Sequence, residues 1–381
     1  MRKKSNQYQS VNALIVVIVL CLLIYFIFPR PPFSLNDMEK RAVWVSYQDL
    51  EKLNYSTSKG FEKSFEEVCK NSMDYGCNTL IVHVRAFQDA LYKTYRFSFS
   101  KVMTGKTVLS FDPLKIMIKI AHKYELKFEA WINPYRISLN SYTYNQFVND
   151  SPIKSWIRDP SKVIHYGEYM YILNPASDSV RDYIVNGIEE IVRNYDVDGI
   201  HFDDYFYVEG TYNNLSQNSR LENVNRLIKE VYQSIKRIKK NVVFGISPQG
   251  NYENCLIGGA DVDTWLNNEN YIDYLMPQIY WSNQYYSDGK TTMFSNRVKK
   301  WVSLKRNKKI NLYVGLALYQ AGQDLDYDKG WSSSDENICS QIEILKKNNI
   351  QGYSLFHYSY LLDKNGKKEM DNLLKKHSLD Y

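Results

Sequence analysis

Only five cysteines occur in 381 residues, and no two of them form a CxxC pair. Cys69, Cys77, Cys255 and Cys339 are scattered, and Cys21 lies in an apolar N-terminal run. That spacing supports neither a zinc site nor a disulfide framework, so free and mostly buried thiols are expected. Charge of one sign is scarce as well. The formal net charge is +6, and Arg2, Lys3, Lys4 and Arg30 supply four of those charges within a first thirty residues that hold no acid. The body is left at +2, which gives no electrostatic argument for a nucleic-acid partner. A glycine-rich turn is missing after the first apolar strand-like run, where the chain reads VSYQDLEKLN. This counts against a doubly wound nucleotide-binding sheet.

Aromatic residues, in contrast, are abundant at 15%, with 33 Tyr and 7 Trp. Many belong in a core, but so many Tyr also suggest a surface that stacks on a ligand. The N-terminus begins MRKKSNQYQS and runs into sixteen consecutive apolar residues, Ala13–Phe28. That length is long for a cleavable signal core and slightly short of the ~20 residues of a full span. No small-residue cleavage site follows, and the run ends in FPRPP. Residues 1–30 therefore read as an uncleaved signal-anchor. The basic residues stay inside and everything from about residue 30 lies outside the cytoplasmic membrane. Residues 31–40 read as a short stiff linker and residues 41–381 as one large domain, giving a single-pass cell-membrane protein with an extracytoplasmic C-terminal domain.

From Arg41 the chain alternates short apolar runs with amphipathic stretches. Strands are expected at Arg41–Tyr47, Asn78–Arg85, Leu126–Ile132, Asp198–Asp203, Asn241–Ser247, Ile272–Ile279, Ile310–Leu316 and Ile350–Phe356. A helical stretch follows each one. Eight strand–helix units predict an α/β fold, a (β/α)8 TIM barrel. The long connections, Asn133–Ser177 above all, follow strands, whereas the turns after helices are tight. All elaboration therefore falls on one mouth of the barrel, where such folds place their chemistry.

Alternation then selects residues. Asp198–Tyr207 reads DGIHFDDYFY, with His201 and Asp203 on one face, Ile200 and Phe202 on the other, and Asp204 just past the strand. Paired carboxyls at a strand end suit glycoside hydrolysis, in which one carboxyl protonates the leaving oxygen and a second acts as nucleophile or base. They would equally suit the cap of the next helix. Asp203, Asp204 and Glu129 are the catalytic candidates. Candidates for holding sugar groups are Arg85, Asp89, Trp131, Asn133, Arg136, His201, Tyr205, Gln278, Tyr280 and Trp281. Several have plainer readings. Arg85 and Asp89 form a structural ion pair, Glu129 neutralises Arg85, Trp131 and Trp281 belong to the core, and His201 is a hydrogen-bonding neighbour. His83, His201 and Asp203 lack a close-spaced ligand motif, so no metal and no cofactor are expected.

RAVWVSYQDL, VRAFQDALY, DPLKIMIKIAHKYELKFEAWINPYR, YDVDGIHFDDYFY, FGISPQGNYEN and DYLMPQIYW occur in this order across Arg41–Tyr358. In these motifs the chain resembles the glycosyl hydrolase-like family 10, bacterial TIM-barrel glycosidase-like proteins. The resemblance implies a barrel, an extracytoplasmic location and a glycan substrate, with bacterial cell-wall peptidoglycan the leading candidate. It departs from the family at Glu129, where His is usual. DGIHFDD is also similar to the DGxDxDxE strand of chitinase-type hydrolases. In that register Asp203 matches the last Asp, His201 replaces an earlier one, and Tyr205 stands where the acid Glu would be. The leading expectation is a membrane-anchored glycoside hydrolase. A non-catalytic glycan-binding barrel is the alternative, and a metal-dependent deacetylase ranks last.

The anchor reading predicts that fractionation leaves the full-length chain in the membrane, with its body digestible by protease added outside cells. A soluble, shortened form as the main product would refute it.

Overall fold

The computed structural model describes residues 34–150, 153–212, 214–286 and 291–377, with only the backbone for 146–150. The anchor expected over 1–30 and the start of the linker lie outside these residues. Among the described residues no helix is long and apolar enough to cross a membrane. The second half of the expected linker is part of the barrel. Leu35 and Met38 are buried, their carbonyls accept from the Arg41 guanidinium, and the first strand already starts at Lys40.

The barrel strands are β1 (Lys40–Val45), β2 (Thr79–Arg85), β3 (Lys127–Ile132), β4 (Gly199–Phe202), β5 (Val243–Ile246), β6 (Tyr274–Leu275), β7 (Asn311–Leu312 continued by Val314–Leu316) and β8 (Gly352–Leu355). Nine strand segments pair side by side in parallel, because β7 is interrupted at Tyr313. Its first half pairs with β6 and its second with β8, and β8 returns to β1. Tyr313 and Gly315 donate to the carbonyls of Leu275 and Pro277, so both halves stay on β6 and a TIM-like barrel results. β6 is shorter than its apolar run predicts, because Pro277 has no N–H for the ladder. Pairing nonetheless resumes beyond it, where the Gln278 N–H donates to the Pro248 carbonyl at 2.9 Å.

A helix follows each strand: α1 (Ser58–Asp74), α2 (Pro113–Lys123), α3 (Asp178–Asn194), α4 (Gln217–Ile238), α5 (Val262–Asn267), α6 (Met293–Ser303), α7 (Asn337–Lys347) and α8 (Lys364–Lys376). Local chemistry sets these boundaries. In α2, Asp112 caps the Lys115 N–H and Pro113 occupies the first turn, where its missing N–H costs nothing. In α3, Val180, Ile184, Gly187, Ile188 and Ile191 recur at helical spacing and are buried against the strands. The long connection after β3 builds its own three-stranded antiparallel sheet from Arg136–Ser138, Val163–Gly167 and Met170–Leu173.

Alternation divides the side chains into two cores. Val82, Val84, Phe128, Ala130, Ile200 and Phe202 pack outward under the helices. Ala42, Trp44, Ile81, Trp131, Tyr274, Met276 and Tyr313 fill the barrel. Glycines make room for the large inner residues. A Cβ at Gly245 would lie 1.9 Å from the Tyr274 ring, and one at Gly199 would lie 2.9 Å from Cγ of Glu129. On β8 the inner positions are Gly352, Ser354 and Phe356 rather than Leu355. Leu355 packs in the outer core instead.

The lower barrel holds one buried ion pair. Lys40 Nζ donates to Glu129 Oε1, and both residues are buried. The ammonium also lies 4.0 Å from the Tyr274 ring centroid. Lys40→Met leaves Glu129 charged and enclosed, so unfolding stability is expected to fall by about 3–5 kcal/mol. Lys40→Met combined with Glu129→Leu should recover most of that. Urea midpoints measure both, and a double variant weaker than the single would show that the pair is not the unit.

Candidate active site

The open end of the barrel holds a solvent-connected groove with about 550 Å³ of unfilled space. It is lined by Trp44, Ser46 and Tyr47 from the end of β1, His83 and Trp131 from β2 and β3, and Asp203 and Asp204 past β4. Gln48, Arg136, Ser247, Gln278, Tyr280 and Phe356 complete it.

Asp203 is the third inward residue of the run Gly199, His201, Asp203. Three N–H groups meet its carboxylate: Asn133 Nδ2 at 3.0 Å, Gln278 Nε2 at 3.1 Å and the Asp204 backbone at 2.8 Å. Each donor is itself fixed. The Tyr47 backbone N–H reaches His83 Nδ1 at 3.2 Å, which leaves the proton on Nε2, bonded to Asn133 Oδ1. Arg136 Nη2 donates to the same oxygen at 3.1 Å, so the amide nitrogen of Asn133 has to face Asp203. Gln278 is held by a second bond from Nε2 to the Ser247 carbonyl, at 2.9 Å.

Asp204 differs from its neighbour in kind. Burial pushes its carboxyl well above the usual range, and the adjacent Asp203 charge and a side-chain hydrogen bond with Asp203 add to the shift. Arg136 opposes this without reversing it. The pair therefore holds one proton, on Asp204, in a groove that both residues line.

Beneath the pair a chain of polar groups is connected by hydrogen bonds. His201 Nε2 accepts from Trp44 Nε1 at 3.2 Å and faces Ser247 Oγ at 2.9 Å. Its Nδ1 then carries the proton, toward Tyr274 Oη at 2.7 Å, and that hydroxyl donates to Glu129 Oε2. Burial holds the pKa values of both His83 and His201 well below the ordinary imidazole value, so both rings are neutral.

Several sequence candidates are not at the mouth. Glu129 is inward but lies one turn of alternation deeper than Trp131, locked to Lys40 and Tyr274. It does not line the groove, and its partner is not Arg85. Arg85 is turned outward by a bulge between His83 and Arg85. It lies 3.6 Å over the Phe97 ring and bonds Gln88 Oε1 at 2.9 Å, against Gly187 of α3. Asp89 is buried and bonded to Ser100 Oγ and the Phe87 N–H, so it serves the loop rather than the groove. His201 lies below the lining, and Asn133 supports Asp203 from behind. Trp281 follows the inward Tyr280 and so points away, with Arg297 5.4 Å from its ring. Trp131 does line the groove, but His83 covers one face at 3.4 Å, so only part of it is available for stacking. Arg136 is held by the Ala86 carbonyl at 2.9 Å, with Tyr205 5.2 Å from the guanidinium. Gln278 and Tyr280 are where alternation places them. Trp44, Tyr47 and Phe356 were not expected. Counting alternation back along β1 from Ser46 finds Trp44, whereas Tyr47 lies on a turn with no sequence signal.

Residues 39–333 match the protein family described as glycosyl hydrolase-like 10. The glycosyl hydrolase YngK of Bacillus subtilis is 31% identical over 365 residues, covering 83% of this chain and 69% of its own. The glycosyl hydrolase DigH of Escherichia coli K12 is 25% identical over 389 residues, covering 87% and 86%. Among solved structures, the PgaB (BpsB) glycoside hydrolase domain of Bordetella bronchiseptica superposes with a TM-score of 0.59 at 10% identity, over 90% of this chain and 99% of that one. The endo-1,4-β-mannanase of Rhizomucor miehei gives 0.55 at 12%, over 91% and 96%. These two structures share the fold. With most of its length matched to the family, and a relative above 30% identity aligned over most of both chains, the chain belongs to the glycosyl hydrolase-like 10 family.

Proposed function

We propose that the protein hydrolyses glycosidic bonds of a bacterial cell-surface glycan, peptidoglycan strands above all, outside the cytoplasmic membrane and tethered to it by residues 1–30. The observation that carries the reading is the Asp203–Asp204 pair, an acceptor-only carboxylate and a protonated carboxyl side by side in an open groove. Asp204 is the proton donor to the leaving oxygen, and Asp203 holds the negative charge beside the reacting carbon. Asn133, His83 and Gln278 are positioning residues for Asp203. Trp131, Arg136 and Tyr280 are placed to touch the sugar. The relatives named as glycosyl hydrolases support the reaction class, and the apolar Ala13–Phe28 run supports the location. A glycan-binding barrel would need the same aromatic groove but no carboxyl kept protonated, so the acid pair favours the enzyme.

The test is release of reducing ends from purified peptidoglycan, with and without its stem peptides. Asp204→Asn and Asp203→Asn should each lower it by at least ~10²-fold, the scale of a lost general acid or of its partner. Full activity in both variants favours the binding barrel.

The pair also sets two pH effects. Asp204 must be protonated, so activity should fall as pH rises through its elevated pKa. The residual activity of Asp203→Asn should lose this limb at lower pH, since the like charge is gone. For stability, the folded chain holds the Asp204 proton above the ordinary Asp pKa while the unfolded chain has released it. Stability therefore declines as pH rises from there to the folded pKa. Asp204→Asn removes this liability and should melt higher than the parent at neutral pH. A lower melting temperature would contradict the assignment of the proton.

A further inference from the structure

On the outer layer of the barrel, α7 and α8 carry a group of side chains that the groove chemistry does not use. Cys339 and Glu343 are one turn apart on α7, so they share a face. His377 ends α8, where its backbone N–H still bonds the Leu373 carbonyl. One sulfur, one carboxylate oxygen and one imidazole nitrogen from these three residues lie within 4.8 Å of one another. Glu343 Oε1 is 3.3 Å from His377 Nε2. Cys339 and His377 are buried and Glu343 is partly exposed, so the cluster meets solvent on the Glu343 side. Among the described residues no other trio of His, Cys, Asp or Glu is this close.

Each member alone has a plain role. A buried thiol is ordinary core. Glu343 already has a protein cation, since Lys376 Nζ lies 2.9 Å from its Oε1. That ammonium is half exposed, and an ion pair of this kind holds a side chain only weakly. Together, however, thiol, imidazole and carboxylate bring three ligand types within reach of one ion from two helices. Sulfur with imidazole selects zinc rather than magnesium or calcium, which take oxygen. Tetrahedral zinc, with sulfur at ~2.3 Å and nitrogen at ~2.0 Å, sets its ligand atoms about 3.5 Å apart, so the trio has to close by little more than ~1 Å.

We propose that Cys339, Glu343 and His377 bind one zinc ion, with water as the fourth ligand, and that the ion ties the end of α8 to α7. Burial pushes the Cys339 thiol up to about 11, so the metal displaces its proton, which leaves to solvent. Lys376 releases Glu343 and turns into water. The two helices are already joined at the start of α7, where the Ile338 N–H donates to Glu369 of α8 at 2.9 Å. The ion adds a second tie about two turns further along α8. No residue of α7 or α8 lines the groove, so the site is structural. Cysteine spacing does not announce it, because His377 stands 34 residues beyond Glu343 on another helix.

The full-length chain in detergent, reduced and freed of metal with a chelator, is titrated with Co²⁺ alone. Cobalt reports on such sites by colour. A thiolate ligand gives a near-ultraviolet charge-transfer band, and four-coordination gives strong visible bands. The expected result is one equivalent bound with both signatures and displaced by Zn²⁺. The melting temperature should rise by a few degrees at about 100-fold excess of Zn²⁺ over its Kd. Cys339→Ser should remove the charge-transfer band, and Glu343→Gln and His377→Gln should each weaken Co²⁺ binding at least ~10-fold. Because changes at buried positions also disturb the core, Lys376→Met supplies a second probe. It removes the competing ammonium without touching a ligand, so Co²⁺ should bind tighter. No band in the parent, a band that survives in Cys339→Ser, or binding no tighter in Lys376→Met would overturn the site.

Discussion

Two carboxyls in contact cannot both ionise in a partly enclosed groove, and the upper half of the barrel is organised around that constraint. Burial and the neighbouring charge keep the proton on Asp204. For the asymmetry to hold, Asp203 has to be the better-solvated anion, and the barrel supplies its solvation. Asn133 comes from β3, Gln278 from beyond β6, and the third N–H is the chain's own. Each amide could in principle present oxygen instead of nitrogen. What prevents this is a ring of further partners: His83 and Arg136 donate to the Asn133 oxygen, and the Ser247 carbonyl accepts from the Gln278 nitrogen. Neutral imidazoles are part of the same logic. A protonated His83 would turn Nδ1–H against the Tyr47 N–H and lose the bond that fixes the ring's tautomer.

The barrel interior accommodates this polarity by spending its apolar volume elsewhere. Large inner residues face glycines, as Tyr274 faces Gly245, so the lower layers stay dense while a column of polar groups runs through them. From Lys40 through Glu129, Tyr274 and His201 to Ser247, each member of the column has a partner in the next. A half-satisfied column would be costlier than an apolar one, since each buried orphan loses its full hydration. Two groups without protein partners lie higher, Trp131 Nε1 and Tyr280 Oη, both on residues that line the groove.

Most of this architecture was legible because a (β/α)8 chain repeats one simple signal. Eight apolar runs, each followed by an amphipathic stretch, survive errors of two or three residues at any boundary. Side-chain direction is less forgiving, because period 2 turns a one-residue slip into the opposite face. The bulge after His83 sent Arg85 to the helix layer, and nothing in the run NTLIVHVR announces a bulge. On β8 both faces are apolar, so GYSLF offers no way to choose a phase and Phe356 was missed. At Trp281 the alternation was right and had only to be followed: if Tyr280 points in, its neighbour points out.

The harder lesson is depth. Glu129 and Asp203 are both inward, both acidic and on adjacent strands, where Glu129 pairs in register with Gly199 and Trp131 with His201. Two steps of alternation along the strand separate a carboxylate that must be neutralised by the protein from one that can be left for a substrate. At the level of Glu129 the barrel is closed above by Trp131, and a cation has to be brought in, so Lys40 at the first position of β1 supplies it. At the level of Asp203 the strands end, β6 has been interrupted at Pro277, and amide N–H groups suffice because the groove admits solvent and ligand. Sequence alternation gives the direction of a side chain but not its height in a tilted barrel. Height follows from the register of the neighbouring strand, and register is a property of pairs of strands that no single strand's pattern contains.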